Sequence, residues 1–204
     1  THTANTVIRV GDGTAPSAGY TATINSIIDG EGGINKADLG TLILNGNNQY
    51  QGGTQVSGGV LQVSSDGNLG AAGTGIGLSG GTLRYGAAFD TARQVTLSGV
   101  GGAIDTNGNS VSLLNAVTGN GDFTKLGKGT LTLTQDSSFA GLTTISDGVL
   151  QLGNGGTAGN VGGNIVDNAT LAINRADTFT VNGDISGSGR VWQQGSGTTI
   201  LNGS

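Results

Sequence analysis

Acid–base and nucleophilic chemistry needs histidines, thiols or converging carboxylates, and this chain offers few of them. His2 is the only histidine and lies in an expected frayed terminus, so neither a Ser-His-Asp arrangement nor a histidine metal centre has material to build on. Cysteine is absent, which removes thiol chemistry. The remaining candidates are carboxylates, because a pair of them on one lateral face would serve a polysaccharide lyase or hydrolase. Asp29, Asp66, Asp105, Asp122, Asp136, Asp147 and Asp167 mostly stand beside Gly or Asn, and Glu31 falls in a Gly-rich turn. In that setting a carboxylate hydrogen-bonds the turn backbone. The expectation is a non-catalytic chain without cofactor or metal, with a polysaccharide-active enzyme as the alternative.

Other short patterns carry little chemistry. Gly119-Asn120-Gly121 resembles half of a phosphate loop, but no Gly-Lys-Ser or Gly-Lys-Thr follows, and no helix is predicted to hold an anion. Gly101-Gly102-Ala103-Ile104-Asp105 is the nearest approach to a calcium-binding nonapeptide and stands alone. Eight basic residues against thirteen acidic ones, with no basic run, disfavour nucleic acid as a partner. Asn168-Ala169-Thr170 and Asn202-Gly203-Ser204 match a glycosylation acceptor pattern that carries no weight here. Two surface features remain. Trp192 has outward parity and is a candidate exposed contact for a sugar or a protein. Thr130, Thr132 and Thr134 form an outward row, although Thr41-Leu42-Ile43 breaks the T-x-T spacing that an ice-binding array needs.

The elements that carry these residues are read from period. Leu42 and Leu44, Leu61 and Val63, Val95 and Leu97, Val111 and Leu113, Leu131 and Leu133, and Leu150 and Leu152 are apolar pairs two residues apart. That is the mark of strands with one buried face. Between them lie Gly-Gly, Asn-Gly and Asp-Gly steps, which accept the positive φ of tight turns. No helical run of ten or more residues is visible. The 42 glycines would suit a disordered linker, but the regular pairs argue for a packed all-β core despite only 10% charged residues.

A stretch of about thirty residues recurs, and it orders the strands. GEGGINKADLGTLILNGNNQYQGGTQVSGGVLQV occupies residues 30–63, a second copy occupies 119–152, and a third opens at Gly187 and runs to Ser204. Residues 40–62 and 129–151 are identical at 11 of 23 positions. Dense self-similarity means one unit stacked on copies of itself. The spacings are 89 residues from Gly30 to Gly119 and 68 from Gly119 to Gly187, and they differ by 21. A difference of one β-helix coil divides the first period into about four coils and the second into about three. The chain is thus expected to be a single β-helix over residues 1–204, with about nine coils and little or no helix. Parity assigns Ile34, Leu42, Leu44, Tyr50, Leu61, Phe123, Leu131, Leu133, Phe139, Leu150 and Val191 to inward columns.

The order G-x-G-x-[hydrophobic]-x-K, G-T-L-x-L, an aromatic, G-x-T and G-V-L-Q resembles the autotransporter-associated β-strand repeat, also called the passenger-associated transport repeat. The match covers residues 30–63 and 119–152, and part of 187–204. Gln193 stands where the other copies have Lys36 and Lys125, so the lysines are given no function. The resemblance implies a segment of a longer type V secretion passenger. Such passengers cross the outer membrane through a β-barrel and fold outside as right-handed parallel β-helices. It further implies display at the bacterial surface or secretion, and a stalk or folding module of an adhesin or self-associating virulence factor. A purely structural spacer is the other reading. Expected partners are a host-surface protein or glycan, another copy of the chain, and the remainder of the passenger with its barrel. The absence of cysteine fits export in an extended state, and no signal peptide, transmembrane helix or barrel strand set is read in these residues.

Overall fold

A computed structural model describes residues 4–203, so His2 and Ser204 lie outside the described residues. The fold is an all-β parallel solenoid whose chain turns through three faces per coil. The first face stacks β1 (Thr6–Arg9), β3 (Ile34–Ala37), β5 (Thr54–Val56), β7 (Ile76–Leu78), β9 (Val95–Leu97) and β12 (Val117–Gly119). The second is the longest, with nine strands: β2 (Thr21–Ile24), β4 (Thr41–Leu44), β6 (Val60–Val63), β8 (Thr82–Tyr85), β10 (Gly102–Asp105), β13 (Phe123–Leu126), β15 (Thr143–Ile145), β17 (Ile165–Asp167) and β20 (Ile185–Ser186). The third stacks β11 (Val111–Leu113), β14 (Thr130–Leu133), β16 (Val149–Leu152), β18 (Thr170–Ile173) and β21 (Arg190–Gln193). Two later strands, β19 (Thr178–Val181) and β22 (Thr198–Leu201), pair with each other at the place in the coil that first-face strands hold earlier. The only helical pieces among the described residues are 3-10 turns at Ala15–Gly19 and Asp66–Leu69.

Strands of two to four residues persist here because each is one rung of a ladder. Thr41, Val60 and Thr82 stand in register on successive coils, as do Leu131, Leu150 and Leu171 on the third face. Alternation then buries every second side chain: Leu42, Leu61, Leu83 and Ile104 form one wholly buried column of the second face. Each such side chain contributes about 1.5 to 3 kcal/mol by leaving water. The corners between faces are tight enough to require glycine. Gly59 and Gly148, at equivalent places in the two repeats, have φ of +58° and +71°.

The repeat does not return to the face it started from. Along the first face, Ile34, Thr54, Ile76, Val95 and Val117 are successive register partners, so four coils take 83 residues. Six more residues carry the chain around the corner to Phe123, the second-copy counterpart of Ile34, on the second face. From Phe123 through Thr143 and Ile165 to Ile185 is three coils in 62 residues, and six more reach Val191 on the third face. The periods of 89 and 68 are therefore four coils plus a face and three coils plus a face. Each repeat is rotated by one face relative to the last, and the strand-free arms rotate with it, from residues 45–53 on the third-face side to 134–142 on the first-face side.

Two expectations of exposure are corrected. Val191 continues the column of Val111, Leu131, Leu150 and Leu171, yet it is 41% exposed because β21 is paired on one side only among the described strands. Thr132 and Thr134 are buried rather than solvated. Thr132 stands between Ser112 and Gln151 of the flanking rungs, and Thr134 Oγ1 donates to the Leu113 carbonyl at 3.0 Å.

Candidate functional site

The aromatic positions of the repeat face the core, each with a different polar environment. Tyr50 is buried, and its hydroxyl lies 2.7 Å from Thr54 Oγ1, which also donates to the Leu69 carbonyl at 3.1 Å. Burial pushes the Tyr50 phenol up to about 12, against its hydrogen bond with Thr54 and the nearby Arg93. Phe139 takes the same place in the second copy and packs against Phe123 at 5.8 Å between ring centres. Its neighbour Thr143, the counterpart of Thr54, is buried with a hydroxyl that has no hydrogen-bond partner. Ile34, Leu42, Leu44, Leu61, Leu131, Leu133 and Leu150 are buried as well.

Lys36 and Lys125 were given no role by sequence reasoning, and they are the most unusual polar residues of the core. Both are wholly buried. Each belongs to an inward column, Lys36 between Ile8 and Val56, Lys125 between Ile104 and Ile145. Lys125 Nζ donates to the carbonyls of Leu126, Gly127 and Asp147 at 2.9, 2.6 and 3.1 Å. Lys36 Nζ repeats this with Ala37, Asp38 and Gly58 at 2.7, 2.8 and 3.1 Å. Three acceptors match the three donors of an ammonium that accepts nothing. Burial lowers both ammonium pKa values, that of Lys125 to about 8, opposed by Asp147 and Asp105, and that of Lys36 against Asp38. A signal was present in the sequence: Ile34 and Lys36, like Phe123 and Lys125, are two residues apart and so share inward parity.

Two arginines secure the arms. Arg93, 3% exposed, donates to Asp66 Oδ1 and to the carbonyls of Asp66, Leu69, Gly70, Ala71 and Thr74, pinning residues 66–74. Arg175 pairs with Asp177 and Asp136, donates to the carbonyls of Thr157 and Gly159, and lies 4.4 Å from the Phe179 ring centre. The carboxylates considered as catalytic candidates are spread along the rod as corner and arm groups. Asp105 pairs with Arg84 and accepts from Asn107 N, Asp122 accepts from Leu142 N, Asp147 from Gly148 N and Asp167 from Ala169 N. Among the described residues no three His, Asp or Glu side chains come together to hold a metal, and no helix is long and apolar enough to cross a membrane.

The outward surface combines hydroxyl and amide side chains with scattered charges such as Arg9, Arg84 and Arg190. Trp192 is 45% exposed on β21, with the Arg190 guanidinium 5.7 Å from its ring centre. A shallow groove of about 350 Å³ runs over the first face, lined by Gln51, Thr54, Gln55, Thr74, Gln94 and Thr96 with a floor of glycine backbone at Gly53 and Gly75. Along the second face Thr41, Val60, Thr82, Ala103, Thr124 and Thr144 form an in-register outward row without charge.

Comparison with known proteins agrees with this geometry. The family model described as passenger-associated-transport-repeat matches residues 34–63 and 123–152, the two stretches that carry the caged lysines. A protein named adhesin BmaC autotransporter, from Brucella suis biovar 1 (strain 1330), is 44% identical over 182 residues, 89% of this chain. The chain spans 5% of that protein's length. No solved structure matches.

Proposed function

With two passenger-associated transport repeats on a parallel β-solenoid, the chain belongs to the autotransporter passengers, which are displayed at the bacterial surface or secreted through the outer membrane, and from this premise we propose that it is a non-catalytic stalk and folding module of an adhesin. The observation that carries the reading is the unbroken ladder of nine rungs on the second face with its buried inner columns. A rod of about 4.8 Å per rung holds whatever lies beyond it away from the cell. Because each coil contacts only its neighbours, coils fold one after another as they emerge, which favours outward movement.

Adhesion is the reading for its outer surface, supported by the relative named an adhesin and by the neutral amide and hydroxyl lining of the first-face groove. Partners on this reading are a host-surface protein or glycan, or a second copy meeting the charge-poor second face. The test is display of the full passenger on cells. Removing residues 119–152 should impair folding and display, and unchanged display would overturn the folding role. Substituting outward residues such as Gln55 and Trp192 by Ala should lower attachment to host cells or clumping without loss of display, and unchanged attachment and clumping would leave only the stalk.

A further inference from the structure

We propose that Lys36 and Lys125 are register keys of the solenoid, each fixing through a carbonyl of the following coil which residues of adjacent strands stand side by side. The inference concerns assembly of the coils and stands whether or not the passenger binds a host partner.

The apolar columns cannot set the register alone. A slip of one residue is forbidden, because it turns every inward side chain outward. A slip of two residues keeps the alternation, and it would set Phe123 beside Ile145 instead of Thr143, one apolar neighbour in place of a half-polar one.

The caged ammonium does resist. Two acceptors of Lys125, the carbonyls of Leu126 and Gly127, belong to its own corner and move with it. The third, the Asp147 carbonyl, belongs to the next coil. A two-residue slip displaces that carbonyl by about 6.6 Å along the strand. The third N–H is then left buried without an acceptor, a defect that protein interiors rarely carry. Lys36 repeats the device with the Gly58 carbonyl. The corner of the next coil packs closely on this cage: a Cβ at Gly148, whose φ is +71°, would meet the Gly129 and Gly127 carbonyls at 2.5 and 2.6 Å and Lys125 Nζ at 3.0 Å.

Gln193, at the same repeat position in the third copy, donates to the carbonyls of Gly195 and Gly197. Each lysine is the third residue of the first strand of its repeat.

The chain has no cysteine, so introduced pairs report register cleanly. Thr124→Cys with Thr144→Cys joins native neighbours about 4.8 Å apart, within disulfide reach. Thr124→Cys with Ser146→Cys joins residues that become neighbours only after a two-residue slip. Each pair is placed in the full chain, unfolded in denaturant, refolded and then oxidised. With Lys125 present, the native pair should close and the slip pair should not. Lys125→Met should raise the slip-pair yield about tenfold, the change that a register preference of ~1.4 kcal/mol gives. Lys125→Gln should fold and also raise it, whereas Lys36→Met, remote from β13, should leave it unchanged. An unchanged slip-pair yield in whichever Lys125 variant folds overturns the proposal, and a lowered melting temperature beside it would make the lysine a stability element only. Failure of both variants to fold also overturns it, since a lost key leaves a slipped solenoid rather than an unfolded chain.

Discussion

At the scale of single residues, the two repeats act as variants of each other. Tyr50 supplies a hydrogen bond to Thr54 that Phe139 withholds from Thr143, whose buried hydroxyl is left without a partner. Phe139→Tyr is therefore expected to stabilise the chain by about 1 kcal/mol and Tyr50→Phe to destabilise it by a similar amount, the net worth of a buried hydrogen bond. Thermal melts of the two variants decide this, and a lower melting temperature for Phe139→Tyr would count against the comparison. Lys125 makes a prediction in pH. Its ammonium titrates at about 8 when folded and near 10.5 when unfolded, so between these values the unfolded chain holds more protons. The contribution of this group to stability is fully present above about 10.5 and is lost as pH falls through about 8. Denaturant titrations across pH 7 to 11 should show a stability difference between the parent and Lys125→Met that changes within this window and is flat below it.

At the scale of elements, the rung pattern and the arms respond to different changes. A charge at an inward rung position has no solvent to turn to. Leu131→Asp or Leu133→Asp is expected to unfold the coils around β14, read as loss of hydrogen-exchange protection from β11 to β16; full protection would refute the face assignment. The arms depend on single side chains. Arg93→Ala removes every tie between Arg93 and residues 66–74 and leaves Asp66 without its cation. A loss on the order of 3 kcal/mol is expected, with hydrogen exchange accelerated in residues 66–74 and little changed in β13 to β16. Alternation made the strands legible in the sequence, because burial of one face imposes period two. The burial of Thr132 and Thr134 was not legible, since it comes from Ser112, Gln151 and the Leu113 carbonyl on other coils.

At the scale of the whole molecule, the repeat rotates around the rod, so equivalent outward residues of successive copies point in different directions. Whole coils are exchangeable units in this architecture. Deleting residues 102–122 joins Gly101 to Phe123, which takes the place of its register partner Gly102, and shortens the first period to the length that the second already has. That variant should fold, with a rod about 4.8 Å shorter by small-angle scattering. Deleting only residues 117–122 removes one face and leaves the chain out of phase with the coil. It should fail to give a cooperative melt, and a native-like melt would show that faces are not phased as described.

The amino-acid sequence by itself determined the inward and outward parity of the strands, the coil length near 21 residues, the glycine corners and the family resemblance, because all of these are local or strictly periodic. Only the tertiary structure decided that each period carries one extra face. Subtracting one period from the other cancels a six-residue step common to both, so the arithmetic of spacings is blind to it. The same holds for Lys36 and Lys125: parity places them inward, but a buried cation is tolerable only when its acceptors converge. The Gly58 and Asp147 carbonyls that complete the cages lie 22 residues further along the chain, brought near by the closing of a coil.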